Sequence, residues 1–306
     1  MHHDYIIISP CFNENKTVIE FLEKLNEVLA TIEKNFLVII VNDASTDNTI
    51  ELLDKYRFST ANTRLQILNL EYNIGHQKAI YQGINYASHL DFDFAIIMDS
   101  DGEDDPEVIK ELVQNKEADI IHVARKGRQE GLVFRIMYHF YKLLFYIFTG
   151  KKINFGNYSL LSKKLIDSIA KTSFIHFPAF ILKLKVPNRK LIYADRNKRY
   201  SGKSKMKISS LINHAFKSFV EFSENVLLVF LRLFIFILLI LVLLLGYIFY
   251  SKFIADTAVP GWASTFSAGL INMALLCFGF FVLGIMQLSF NSRNDYHSQK
   301  PIYKVD

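Results

Sequence analysis

The chain has 306 residues, 51% of them hydrophobic and 14% aromatic, and a formal net charge of +5. That length suffices for one catalytic-sized domain plus an appendage. The two cysteines, Cys11 and Cys277, lie far apart without a CxxC partner, which excludes a disulfide framework or a cysteine zinc site and fits a reducing compartment. The opening MHHDYIIISP has no basic n-region and only a short apolar run, so no signal peptide is expected.

Residues 5–124 alternate between two periodicities. Apolar runs at Tyr5–Ile8, Leu37–Val41, Leu65–Leu70, Phe94–Met98 and Ile120–Ala124 predict buried strands. Amphipathic stretches at Lys16–Ile32, Thr46–Tyr56, His76–Ala87 and Pro106–Val113 predict helices between them. Such alternation implies an α/β domain with a mainly parallel sheet and helices on both faces. Ligands of open sheets of this kind lie at the carboxyl ends of the strands, where the sequence reads SPCFNEN, VNDASTDNT and MDSDGEDDP. The dinucleotide signature GxGxxG and the P-loop signature GxxxxGKS are absent.

After the fourth strand, Asp99, Asp101, Glu103, Asp104, Asp105 and Glu107 place six carboxylates in nine residues. Like charges so close need a positive partner. An EF-hand does not fit, because its sixth position would be Asp104 rather than Gly and its twelfth Lys110. Helix capping accounts for Asp104, Asp105 and Glu107 around Pro106. It does not account for Asp99 and Asp101, which share one face at two-residue spacing off the strand end. Hard carboxylate oxygens there suit Mg2+ or Mn2+. Of the other polar positions, Asp47 reads as a helix cap, Asn73 and Gly75 as caps or ligands alike, and His176 as a packed core histidine.

The net charge hides a division. Residues 1–120 carry 22 acidic and 9 basic side chains, whereas residues 121–217 carry 3 and 21. The first part should hold cations and the second should meet something anionic. Residues 125–148 combine Arg125, Arg128 and Arg135 with a long aromatic and aliphatic face. Residues 196–224 place Arg196, Arg199, Lys203, Lys205 and Lys207 before an amphipathic stretch. Such segments suit a membrane interface, with rings among acyl chains and cations at phosphates. Nucleic acid would also draw this charge, but the neighbouring segments make lipid phosphate the better anion.

Leu233–Tyr250 is eighteen residues without a charge, and Trp262–Phe290 is twenty-nine more. Each is long enough to cross about 30 Å of hydrocarbon as a helix. Arg232 can snorkel to the interface, and Tyr250 and Trp262 flank a short connection that carries one lysine. Basic residues are concentrated before the first span and in the tail, so both termini are expected in the cytoplasm.

SPCFNEN, VNDASTDNT, YNIGHQKAIYQG, MDSDGEDDPEVI and RYSGKSKM, in this order and ahead of two spans, resemble the motifs of family 2 glycosyltransferases. The subgroup resembled is the polyprenyl-phosphate glycosyltransferases, typified by dolichyl-phosphate mannose synthase. The resemblance covers nearly the whole chain. It implies a GT-A fold that binds a UDP- or GDP-linked sugar and transfers it to a polyprenyl phosphate with inversion. By position it implies that Pro10, Phe12, Glu14, Val41, Asp43, Asp99 and Ser100 meet the nucleotide. Asp99 and Asp101 would then hold Mg2+ or Mn2+ on the diphosphate, with Glu103 completing the shell. Phe12 stands where the family has Tyr, Asn42 where it has Asp, and Tyr72 where Arg is usual. Asn157 and Ser159 replace an Asp and an Arg, which marks a divergent subgroup.

Arg125, Arg128, Arg135, Arg199 and Lys205 are the candidates for the acceptor phosphate, and Asp99, Asp101, Arg125 and Arg135 are expected to carry catalysis. A phosphate monoester has a second pKa of about 6, so such an acceptor is a nucleophile without a general base. A hydroxyl acceptor would need a carboxylate base, with Asp104 and Asp105 as candidates. A non-catalytic scaffold is a further alternative, against which Asp43, Asp99 and Asp101 argue. The expected organisation is a nucleotide-sugar half at 1–125, an acceptor-side and membrane-interface region at 126–225, two transmembrane helices at 226–290 and a cytoplasmic tail at 291–306. An integral protein of the plasma (inner) membrane follows if the source is bacterial, and a homo-oligomer is left open.

Overall fold

A computed structural model describes residues 2–115, 117–126, 132–195, 200, 208–255, 261–294 and 303–305. The alternating segments form β1 (His3–Cys11), α1 (Val18–Leu29), β2 (Phe36–Asn42), α2 (Thr49–Lys55), β3 (Thr63–Leu70), α3 (His76–Ser88) and β4 (Phe92–Ile97). One 3-10 turn at Pro106–Val108 leads into α4 (Ile109–Leu112), followed by β5 (Ile120–Arg125). Then come α5 (Leu132–Thr149), β6 (Phe155–Ser162), α6 (Lys163–Ala170), α7 (Phe177–Lys183), β7 (Arg189–Ala194) and α8 (Ile208–Glu221). The chain ends with α9 (Ser223–Phe253), α10 (Trp262–Asn294) and β8 (Tyr303–Val305).

The five expected strands are present, each within a few residues of its expected bounds. They belong to an eight-stranded sheet of order β7-β5-β6-β4-β1-β2-β3-β8. Strands β3, β2, β1 and β4 run parallel, as does β7 beside β5. The antiparallel β6 separates β4 from β5, and the antiparallel β8 closes the β3 edge. The sheet is therefore mainly parallel, with three strands that the periodicity did not announce.

The apolar runs of β1 and β2 are buried on both faces, as a central parallel strand requires. Ile7, Val38 and Ile40 pack on one side with Phe21, Leu22 and Leu25 of α1. Ile6, Ile8 and Ile39 pack on the other with Ala79, Ile80 and Ile84 of α3. Gly83 sets the approach of α3, because a Cβ there would lie 2.4 Å from Ile8 and 2.9 Å from Val41. Helix α3 can therefore lie flat on the sheet, with its first turn beside the strand ends.

The chain divides into two compact units. The first, Met1–Lys142, Lys151–Glu221 and Lys300–Asp306, contains the sheet. Within it, Tyr141 of α5 bonds Ser218 of α8 at 2.8 Å and meets Phe219 edge-on. The same helices leave Ile136, Met137, Phe140, Ile212, Phe216 and Val220 exposed. The second unit, Leu143–Gly150 and Phe222–Gln299, contains α9 and α10. These two pack antiparallel, with Phe230 against Phe280 and Phe234 against Phe278 at ring distances of 5.7 and 5.1 Å. Both are long and apolar enough to cross a membrane.

Candidate active site

The loops after β1 and β2 are tied to each other before any ligand arrives. The Asn13 N–H donates to Ser45 Oγ at 3.0 Å, Glu14 N–H to Thr49 Oγ1 at 3.0 Å, and Thr46 N–H to Asn13 Oδ1 at 2.8 Å. Asn13 takes a left-handed backbone (φ 53°), which asparagine tolerates better than most residues. Asp47 accepts from Asn15 N–H and, at the start of α2, from Thr49 N–H. It acts as a structural acceptor. Glu14 accepts from the Thr17 hydroxyl ahead of α1. Phe12 is 43% exposed at the strand end, where a ring can stack on a base. Val41 and Pro10 are buried in the strands.

Asp43 is buried and organises the next loop. Its two carboxylate oxygens accept from Ile74 N–H at 2.8 Å and Gly75 N–H at 2.9 Å, and Asn73 donates to its carbonyl. Burial raises its pKa despite these bonds. Asn73 and Gly75 thus anchor the segment that delivers His76 to the start of α3. Neither caps that helix through a side chain.

The acid loop after β4 is held at several points. The Ser100 hydroxyl donates to Pro10 C=O at 2.8 Å, tying it to β1. Asp101 accepts from Glu103 N–H at 3.0 Å. Gly102 has φ +84°, and a Cβ there would lie 2.3 Å from the Tyr200 ring, so both conformation and space require glycine. Asp105 does cap the 3-10 turn, accepting from Glu107 N–H. Asp104 does not. It is buried and turned back to accept from Asp99 N–H at 3.0 Å, a contact that local capping logic could not anticipate.

Asp99 lies at the centre. Its Oδ1 is 3.2 Å from His76 Nε2 and accepts from Asn157 Nδ2 at 3.2 Å. Burial pushes this carboxyl up, but His76, Asn157 and Arg125 outweigh it and hold it at about 2. Burial lowers the His76 pKa, and Asp99 reverses the balance so that it is raised. Asp104 goes the other way, pushed up to about 7 by burial and by the Asp99 charge. Neighbouring carboxylates are thereby divided into one firmly ionised and one that holds its proton more readily. Asn157 comes from β6, whose antiparallel register pairs Ser159 with Ile97.

Among the described residues, no three His, Cys, Asp or Glu side chains converge to hold a metal ion. Glu103, the expected third ligand, is 3.9 Å from Arg125 Nη2. Two carboxylates nonetheless fit Mg2+ or Mn2+, because Mg2+ is usually held by one or two protein carboxylates, with substrate phosphates and water filling the rest. Of the expected phosphate-binding residues, Arg125 ends β5 and lines a small cleft with Glu103, Asp104, Asp105, Gly156 and Tyr158. Arg128, Arg199 and Lys205, together with the Arg135 side chain, lie outside the described residues.

The family-wide profile described as Glycosyl transferase family 2 matches residues 6–181. The chain belongs to that family. It is 26% identical to a protein of Bacillus subtilis (strain 168) named as an uncharacterized glycosyltransferase, YkcC, over 99% of this chain and 94% of that one. It is also 26% identical to the undecaprenyl-phosphate 4-deoxy-4-formamido-L-arabinose transferase of Salmonella choleraesuis (strain SC-B67), over 68% of this chain and 64% of that one. Among solved structures, glucosyl-3-phosphoglycerate synthase from Mycobacterium tuberculosis, in complex with Mn2+, UDP and glucosyl-3-phosphoglycerate, superposes with a TM-score of 0.54 at 14% identity. That match covers 73% of this chain and 80% of that one. Mannosyl-3-phosphoglycerate synthase from Rubrobacter xylanophilus gives 0.56 at 13% identity, over 73% and 74%. The fold is GT-A, and the protein is a glycosyltransferase.

Four residues that pack around the acid loop were not read from the sequence as site residues: His76, Gln77, Asn157 and Tyr200. Asn157 had drawn notice only as a departure from the family pattern. His76 and Tyr200 both lie in quoted motifs, YNIGHQKAIYQG and RYSGKSKM, and that placement was the available signal. Gln77 is buried in the first turn of α3, and nothing local distinguishes it from a helix-surface glutamine. His176 is packed as expected and caps α7, accepting from Ala179 N–H.

Proposed function

We propose that this glycosyltransferase moves a sugar from a UDP- or GDP-linked donor to a polyprenyl phosphate at the cytoplasmic face of a membrane. The observation that carries the reading is Arg125, a cation that shares one cleft with the acid loop. An anionic acceptor placed against Arg125 lies next to the carboxylates expected to meet the donor diphosphate. The name of the Salmonella relative, which specifies undecaprenyl phosphate, supports the same acceptor class.

Asp99 and Asp101 would hold the divalent cation, which when bound neutralises the charge of the diphosphate. Phe12 stacks on the base, and Pro10, Glu14, Val41, Asp43 and Ser100 form its surroundings. Arg125, with Arg128, Arg135, Arg199 and Lys205, draws in the lipid phosphate. A phosphate oxygen attacks the anomeric carbon as the bond from that carbon to the diphosphate oxygen breaks, and the nucleoside diphosphate leaves with the electron pair. The acceptor is already ionised, so the site contributes position and charge, with no proton transfer.

The helices α9 and α10 serve as a transmembrane hairpin, and the exposed apolar side chains of α5 and α8 rest in the interface. The pairing of β8 with β3 supports both termini lying on one side, because two crossings separate β8 from the rest of the sheet. On this reading, residues 1–125 bind the donor and end on Arg125 at the acceptor, 126–225 form the rest of the acceptor side and the interface, and 226–290 cross the membrane, with 291–306 cytoplasmic.

A hydroxyl acceptor is the second reading, favoured by the raised pKa of Asp104, a property expected of a general base. Its bond to Asp99 N–H turns that carboxylate inward and weakens the case. The deciding experiment is a panel of nucleotide-sugars with membranes and polyprenyl phosphate, reading label extracted into organic solvent. Transfer that needs the lipid phosphate and stops with chelator supports the proposal. Transfer to a glycan hydroxyl in its absence sinks it.

A further inference from the structure

The hydrogen bonds around Asp99 have a direction, and one backbone group sets it. The Phe177 N–H, at the start of α7, can only donate, and it meets Gln77 Oε1 at 2.5 Å. The Gln77 amide nitrogen must then point the other way, where it donates to Asn157 Oδ1 at 3.2 Å. Asn157 in turn presents its Nδ2, which lies 3.2 Å from Asp99 Oδ1 and 2.9 Å from His76 Nε2. Each amide has one donor end and one acceptor end, so a flip anywhere would set oxygen against oxygen.

His76 Nε2 serves one of its two neighbours at a time. The neutral ring accepts from Asn157, and the protonated ring donates to Asp99. Asp99 Oδ1 is thus occupied from one side by nitrogen. Its Oδ2 has no hydrogen-bond partner among the described residues. We infer that Gln77 is a positioning residue: it holds Asn157 with its nitrogen toward Asp99, engaging one carboxylate oxygen and presenting the other to a divalent cation. The inference rests on the proposed cation at Asp99 and Asp101. It adds a residue that touches neither the cation nor any substrate and acts only through Asn157.

The experiment measures Mn2+ binding by electron paramagnetic resonance on the full chain in detergent, with UDP and, in a parallel series, GDP present. Gln77→Met keeps length and bulk while removing both polar ends, so Asn157 can turn its oxygen toward Asp99. Binding should weaken roughly three- to tenfold, the equivalent of one neutral hydrogen bond. Gln77→Glu, the second variant, accepts from Phe177 and Asn157 alike and forces that turn; it should weaken binding at least as much. In an Asn157→Ala background neither substitution should weaken binding further, since the residue they act through is gone. Circular dichroism and thermal midpoint establish that each variant is folded. Unchanged Mn2+ affinity in a folded Gln77 variant overturns the inference, as does weakening that persists in the Asn157→Ala background. A wild-type protein that binds no Mn2+ with either nucleotide overturns the cation reading and this inference together, whereas wild-type binding that the Gln77 variants leave unchanged overturns the inference alone.

Discussion

Residues 1–120 carry 22 acidic against 9 basic side chains and residues 121–217 carry 3 against 21, and the two stretches differ as much in how their groups are held. On the acidic side, Asp43, Asp47, Asp99, Asp101 and Asp104 each accept a backbone or side-chain N–H from the chain itself. On the basic side, Arg125 ends a strand beside Glu103, and α5 and α8 present exposed apolar side chains. The proposed donor site is preorganised by bonds within the chain. The proposed acceptor surface relies on cations and on apolar area, which suits a partner that arrives in a fluid membrane. Preorganised groups should fail sharply when altered, and surface groups by degrees.

The largest effect is expected on the acidic side. Asp101→Asn removes a charge from the proposed cation site but keeps an oxygen to accept from Glu103 N–H. Transfer should fall on the order of 10²–10³-fold, as when one preorganised electrostatic group is lost. Circular dichroism should be unchanged. Full activity in a folded variant would remove Asp101 from the site.

Next comes Arg125→Ala, which tests the basic side. Its loss should reduce the lipid-dependent rate roughly ten- to hundredfold, the range of a hydrogen bond to a charged group. The KM for nucleotide-sugar should move little. Stability should change by about 1 kcal/mol or less, because the 3.9 Å pair with Glu103 is loose and partly exposed. A KM effect confined to the donor would mean that Arg125 serves the donor side, and the division drawn above would fail.

A stability effect of similar size is expected from His122 in β5. It stacks on Phe155 at 3.7 Å, and Arg189 meets its Nε2. Burial and then the Arg189 charge depress its pKa to about 3 from the ordinary 6.5. The unfolded chain therefore binds more protons between those values, so stability rises with pH across that window and is lost as pH falls from about 6.5 toward 3. Acidification from neutrality to about pH 5 should cost about 2 kcal/mol through this residue. His122→Gln should flatten that slope in denaturant melts. An unchanged slope would assign the acid sensitivity to other groups.

The acid cluster and the two long apolar helices were legible because each is a local pattern: charge density in one case, unbroken apolar length in the other. The five expected strands were legible for the same reason, being short apolar runs. β6 was not, since Asn157 and Ser159 interrupt its apolar positions and it pairs with strands far away in sequence. β7 is largely exposed and reads RKLIYA, a polar edge. In the candidate site, the sequence singled out Asp99 and Asp101 as proposed cation ligands, but Asp104 was misread as a cap. Its partner is the Asp99 N–H, and turning back depends on burial that sequence does not display. The contacts that join α3, β6 and the loop after β4 through Gln77, Asn157 and Asp99 link segments far apart in sequence, which a local pattern does not show.

The smallest effect is expected where the end of the chain meets the donor side. β8 is only three residues long, pairing Tyr303 with Leu70, Lys304 with Asn69 and Val305 with Leu68. Tyr303 also meets Tyr86 of α3 edge-on at 5.6 Å. An aromatic pair of this kind contributes about 0.5–1.5 kcal/mol beyond its buried area, so Tyr303→Ala should lower stability by about 1 kcal/mol. The loss should be local, because an edge strand opens without the rest of the sheet. Backbone amides of residues 68–70 that face β8 should exchange severalfold faster, while those of β1 and β2 keep their protection. Donor-side activity should hardly change, since Asp43 and the acid loop bond to other elements. Uniform protection in both proteins would mean that β8 is not docked in solution, and the argument for two membrane crossings would lose its structural support.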